Sequence, residues 1–154
     1  MSLIKKILLS LLVVFIVIQF IQPAHNKSKQ LLSTDISKLI SIPDSVQVVL
    51  KNACYDCHSN NTQYPWYINI QPAGWLMAKH IRKGKEDLNF SEFGSYSLRK
   101  QVSKLAGIVN SIKDDNMPLP SYKWMHKNAR LTSDKKTLII NWAQKSKDSL
   151  AAMN

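Results

Sequence analysis

The sequence predicts an all-α fold. Apolar residues recur at helical spacing in several separate stretches, and no stretch alternates apolar and polar residues as a half-buried strand would. Prolines and Asn/Asp runs fall at or between the ends of those stretches rather than inside them. With 154 residues, 45% of them hydrophobic, the chain is long enough for one domain with a packed core. It contains no internal repeat.

Residues 1–23 are a positive start followed by an apolar run. Lys5 and Lys6 precede Ile7 to Ile21, in which only Ser10 and Gln19 are polar. Leu3 to Ile21 is about long enough to cross a bilayer, where roughly 17–25 residues are needed. Gln22-Pro23-Ala24 is a poor cleavage site, so the run reads as an uncleaved transmembrane anchor, with a removed signal helix as the alternative. Lys5 and Lys6 would then stay in the cytoplasm and the rest would lie outside it, in the periplasm on the inner membrane. Residues 24–43 read as a polar linker closed by Pro43, and 44–150 as the folded domain.

Within the domain a short helix starts at Asp44-Ser45-Val46-Gln47, where Asp44 has the chemistry of a cap. Val46, Val49, Leu50 and Ala53 form its apolar face. Residues 59–71 read as a loop that is unusually aromatic (Tyr64, Trp66, Tyr67). Pro72 suits the first turn of a second helix, whose apolar face runs Ala73, Leu76, Met77, His80, Ile81, Gly84 and Leu88. A third helix spans about Ser97 to Lys113 on Leu98, Val102, Leu105, Val109 and Ile112. Asp114-Asp115-Asn116 ends it, and Met117-Pro118-Leu119-Pro120 reads as an extended strap. A last helix begins near the capping Thr132 and carries Leu138, Ile139, Trp142 and Ala143.

The chemistry is concentrated at Cys54-Tyr55-Asp56-Cys57-His58. Cys-x-x-Cys-His is the attachment motif of c-type haem: two thiols reach two vinyl groups, and the adjacent histidine is aimed at the iron. A thioredoxin-like pair would need a βαβ setting, which is absent. A zinc site would need a second ligand pair, and His25, His80 and His126 are scattered. A disulfide across two residues is the remaining alternative, and a strained one. The expected cofactor is therefore one covalently attached haem c, held by Cys54 and Cys57 with His58 on the iron.

On these residues the chain resembles small monohaem cytochromes c, in which a helix ends in Cys-x-x-Cys-His and a Met-Pro strap precedes a closing helix. It is more closely similar to the bacterial haem-binding domain family of short, membrane-anchored proteins. The stretches that carry this resemblance are 54–67 (CYDCHSNNTQYPWY), 88–93 (LNFSEF), Met117-Pro-Leu-Pro120 and Leu131 to Trp142, so that it covers about residues 46–145. The resemblance implies a cytochrome c-like helical domain around one haem. It adds little about partners.

The second iron ligand has two candidates. Met117 lies in the strap, as the methionine ligand does in the cytochromes c that the chain resembles, and His80 lies on the apolar face of the second helix. Tyr64, Trp66, Tyr67, Trp75 and Trp124 are expected to wall the haem pocket, with ordinary core as the alternative. A carbonyl of Pro65 or Pro72 is expected to hold the free nitrogen of His58. The leading function is single-electron transfer between redox partner proteins, without enzymatic activity; a haem-based gas sensor is the alternative. The net charge is +11, or +9 with Lys5 and Lys6 set aside. It suits a solvated surface beside anionic lipid, or docking of an acidic redox partner. Nucleic acid is not an expected partner of an exported chain.

Overall fold

A computed structural model describes residues 2–28 and 30–153. Among the described residues eight α-helices follow one another: α1 (Leu3–Ile18), α2 (Ile36–Leu39), α3 (Asp44–Ala53), α4 (Tyr55–His58), α5 (Ala73–Asp87), α6 (Leu98–Lys113), α7 (Pro120–Met125) and α8 (Ser133–Ala151). Short 3-10 turns at Trp66–Asn69, Phe90–Ser95 and Lys127–Ala129 join them. The described residues contain no strand, only one isolated bridge between Lys27 and Asn61.

The main core is built where the apolar faces of α3, α6 and α8 meet. Val46, Val49 and Leu50 from α3, Leu105, Val109 and Ile112 from α6, and Ile139, Trp142 and Ala143 from α8 share one buried cluster with Ile36, Phe90 and Phe93. α6 and α8 form the most extensive helix pair. Ser97 caps α6 by accepting from the Lys100 N–H, and Thr132 caps α8 by accepting from the Lys135 N–H. At α3 the expected cap is displaced by one residue. Pro43 occupies the cap position, Asp44 is the first helical residue, and no side chain bonds the helix start.

A second, smaller cluster of Ile68, Met77 and Ile81 lies between α5 and the Trp66–Asn69 turn, with Cys57, Tyr64 and Tyr67 packed on it. α4 sits between the two clusters. Cys54 packs on the first and Cys57 on the second. The approach of α5 to α4 is close enough to require glycine: a Cβ added at Gly84 would lie 2.6 Å from the Cys57 carbonyl oxygen.

The expected transmembrane helix over Leu3–Ile21 is shorter than the sequence suggests. α1 has 16 residues, about 24 Å at the α-helical rise, and no described helix is long and apolar enough to cross a membrane. The reason is local. Gln19, Phe20 and Ile21 donate to carbonyls three residues back, tightening the last turn, while the Gln19 side chain is captured by the backbone of Gln71.

The described residues of 24–43, expected as a linker, pack on the helical body. Asp35 and Ile36 are buried, Thr34 donates to the Ser91 carbonyl, and the Trp142 indole donates to the Ser41 carbonyl. The strap also differs from expectation. Met117 and Pro118 lie in a bend, and Pro120 starts α7, a position where its missing N–H costs nothing.

Two glycines in helix interiors have opposite surroundings. Alanine is favoured over glycine in a helix by about 1 kcal/mol. Gly107→Ala on α6, whose Cβ would meet nothing within 4 Å, is expected to stabilise the haem-free chain by up to about 1 kcal/mol. Gly84→Ala is expected to lower the unfolding free energy by about 1 kcal/mol or more, despite the same gain in propensity. Urea denaturation of the two variants measures both signs, and a stabilised Gly84→Ala would show that α4 and α5 are not in close contact.

Candidate functional site

The site grows from the end of α3. Cys54 leaves the helix with φ −126° and ψ −42°, and its carbonyl accepts from the N–H groups of both Cys57 and His58. This single turn, α4, sets Cys57 and His58 three and four residues beyond Cys54, with the two cysteines packed on different core clusters. The two cysteines are free thiols. Burial pushes the Cys54 thiol up to about 12, with neighbouring Cys57 adding to the shift. Burial likewise pushes the Cys57 thiol up to about 11, with Asp56 adding to it. Both thiols are therefore protonated at neutral pH, the opposite of an activated thioredoxin-type cysteine.

His58 is oriented from α5. Its Nδ1 lies 2.9 Å from the carbonyl oxygen of Leu88, at the C-terminal end of that helix. A carbonyl only accepts, so the proton is on Nδ1 and the lone pair on Nε2 is free. Burial lowers the His58 pKa, outweighing the backbone hydrogen bonds that act the other way. The ring is neutral at pH 7, the form in which imidazole ligates a metal.

An apolar cleft of about 330 Å³ opens beside this turn. Cys54, His58 and Met117 all line it. α3 contributes Leu50 and Ala53, the end of α5 contributes Asp87, the 88–90 segment contributes Leu88 and Phe90, and α6 contributes Lys104, Gly107, Ile108, Ser111 and Ile112. Those first four α6 positions are spaced i, i+3, i+4 and i+7, a second stripe beside the core-facing one. That stripe is mixed in polarity, so apolar periodicity alone passes over it. A mid-helix glycine on an otherwise good helix was the available signal.

Met117 reaches the cleft through a helix stop. Asp115 has φ 56°, the left-handed conformation, and ends α6 in a Schellman arrangement. The Asn116 N–H donates to the Ser111 carbonyl and the Asp115 N–H to the Ile112 carbonyl. The Met117 N–H bonds the Ser111 carbonyl as well, so the strap starts from a fixed point at the cleft wall.

Several expected residues lie elsewhere. Cys57 is not among the cleft-lining residues and rests against Gly84 and the smaller core. His80 is half-buried on α5, outside the cleft, with its pKa lowered by desolvation and by Lys79. None of Tyr64, Trp66, Tyr67, Trp75 and Trp124 lines the cleft; Trp66 and Trp124 are 75% and 77% exposed. Phe90, from a 3-10 turn without periodicity, is the aromatic that does, and it meets the His58 ring edge-on at 6.3 Å. The partner of the His58 nitrogen is the Leu88 carbonyl rather than that of Pro65 or Pro72.

A polar tie joins the two halves of the site. Tyr122 on α7 donates a 2.6 Å hydrogen bond to Oδ2 of buried Asp56, inside the Cys-x-x-Cys turn. Oδ1 accepts from the Gln63 N–H, and the Asp56 carbonyl accepts from Thr62. Burial and the Asp56 carboxylate both raise the Tyr122 pKa. His126 stacks on Tyr122 at 4.0 Å and bonds Tyr67 at 3.2 Å.

A family model described as "Haem-binding domain" matches residues 13–145. The chain belongs to this haem-binding domain family. No curated protein and no solved structure matches it. Haem binding suits the donor set of the cleft: a thiol, a neutral imidazole with a free Nε2 and a thioether, facing apolar walls across the space that Gly107 leaves open. In this haem-binding domain the cleft carries one cation, Lys104, and one carboxylate, Asp87.

Tyr122→Phe tests the tie. It leaves Oδ2 of Asp56 without its donor, and a buried acceptor so deprived costs about 1–3 kcal/mol. Chemical denaturation should register that loss, and an unchanged midpoint would mean that water replaces the hydroxyl without cost.

Proposed function

We propose that this haem-binding domain is a monohaem c-type cytochrome that passes single electrons between redox proteins outside the cytoplasm. The observation that carries the reading is the convergence of Cys54, His58 and Met117 on one apolar cleft, with the His58 ring already held by Leu88. Cys54 and Cys57 would hold the ring, each adding its S–H across one vinyl group. His58 and Met117 would supply the ligands to the iron. Bound there, haem supplies an iron that takes up and releases one electron, at a potential set by those ligands and by burial.

The chain's own groups support a carrier rather than an enzyme. With His58 and Met117 both as ligands, the iron would keep no open position for a substrate or a gas. The apolar walls keep water away, and Leu88 fixes the imidazole so that little need move when the charge changes. Met117 is favoured over His80 as the second ligand because Met117 lines the cleft and His80 does not.

Location and partners follow from charge and hydropathy. The side chains of α1 are exposed along almost its whole length and apolar apart from Lys5, Lys6 and Ser10, a surface that lipid would cover. We read α1 as a bilayer-embedded anchor at the inner membrane, with the haem domain in the periplasm. The basic domain suits an acidic redox partner.

Denaturing electrophoresis of the wild type should show haem stain at the mass of the chain, and Cys54→Ala with Cys57→Ala should abolish it. Oxidised wild type should show the weak far-red band of methionine-ligated iron. Met117→Ala should remove that band and let the reduced protein bind carbon monoxide, while His80→Ala changes neither. Carbon monoxide binding by the wild type would instead favour the gas-sensing alternative, and the opposite mutant pattern would move the ligand to His80.

A further inference from the structure

The foot of α1 is built into the domain rather than strung from it. Gln71 is fully buried there, and its four polar groups are engaged. Its N–H donates to Oε1 of Gln19, and its carbonyl accepts from Nε2 of Gln19. Its side-chain amide donates to Oε1 of Gln22, and its side-chain oxygen accepts from the Trp75 N–H. Gln22 also donates to the Asn69 carbonyl, and the Trp75 indole N–H donates to the Ile21 carbonyl at 2.8 Å. Gly74 permits this approach, since a Cβ there would collide with the Ile68 carbonyl and the Gln71 side chain.

Around this joint the domain exposes apolar side chains that its core does not need. Phe20 is 84% exposed and Trp66 75%, and Ile21, Ile70 and Leu76 are also exposed. Trp75 has its one polar atom satisfied and its ring at the surface, the amphipathic arrangement of aromatics at a membrane–water boundary. Phe20 and Ile21 continue the exposed apolar run of α1 up to the joint. Lys79, Arg82 and Lys83 follow it along α5, all exposed, and none pairs with a carboxylate among the described residues.

Length gives the patch its depth. The part of α1 beyond Lys6, Ile7 to Ile18, is about 18 Å long at the α-helical rise and falls short of a hydrocarbon core of about 30 Å; such a shortfall is met by thinning the bilayer and drawing flanking residues toward it. What flanks α1 here is the joint and the face around it.

We propose that α1 and the 66–76 face of the domain form one continuous bilayer-contact surface. Trp66, Ile70, Trp75 and Leu76 lie in the headgroup layer, and Lys79, Arg82 and Lys83 face anionic headgroups. This rests on the reading of α1 as a membrane anchor and adds that the domain itself touches the lipid, in one orientation.

The test uses the full haem-loaded chain in vesicles of mixed phosphatidylcholine and phosphatidylglycerol carrying a nitroxide near the headgroup. α1 has no tryptophan, so quenching of tryptophan emission reads the domain and not the anchor. The wild type should be quenched, and Trp66→Phe with Trp75→Phe should lose the larger part of the quenchable emission while still floating with the vesicles. Lys79→Gln, Arg82→Gln and Lys83→Gln together should reduce quenching in these vesicles and leave it unchanged in pure phosphatidylcholine. A chain that does not float with vesicles overturns both the anchor and this surface. A chain that floats, but whose quenching is the same with or without Trp66 and Trp75, overturns the surface alone.

Discussion

The hydrogen bond from His58 Nδ1 to the Leu88 carbonyl is the constraint on which the site depends. It joins the Cys-x-x-Cys-His turn to the end of α5, thirty residues further on. It fixes the tautomer, and with it which nitrogen faces the cleft. The bond is available because α5 ends at Asp87, leaving the Leu88 carbonyl without a helical partner. It also requires α5 to pass close to α4, which Gly84 permits. A glycine inside one helix thus sets the geometry of a ligand on another.

The opposite wall is tied to the same turn by a different device. Asp56, between the two cysteines, receives the Tyr122 hydroxyl across 66 residues of chain. Tyr122 lies five residues beyond Met117, so the segment carrying the thioether and the segment carrying the imidazole are bound together through the protein itself. The cleft is held open by contacts outside it, as preorganised sites require.

What the sequence makes legible divides along physical lines. The helices with sustained apolar periodicity, α3, α5, α6 and α8, can be read from residues such as Val46, Leu50, Leu105 and Ile139. Their ends follow from Ser97 and Thr132. The elements that escape are short and lack a period: α7 and the 3-10 turns at 66–69 and 90–95 are held by tertiary bonds such as Tyr122 to Asp56. At the site, the motif at 54–58 and Met117 are visible as side-chain chemistry. The Leu88 acceptor is a backbone atom, and no side-chain pattern announces it. The aromatic residues mislead for a related reason. Composition says that Trp66, Trp75 and Trp124 are large and flat, but not which way they point. The segment 24–43 looks like a linker because it is polar, yet polar groups such as Thr34 and Asn26 are what join it to the body.

The joint at Gln71 has a mechanical consequence. A flexible tether would let the domain tumble, and its cleft would sample every direction. Here the residues just after α1, Gln19 to Gln22, are pinned at several points to residues 69–75, and those residues lead into α5, whose far end holds His58 through Leu88. The helix therefore acts as a lever. Tilting α1 by a given angle swings the whole body by that angle, and the mouth of the cleft keeps a constant bearing relative to the helix axis.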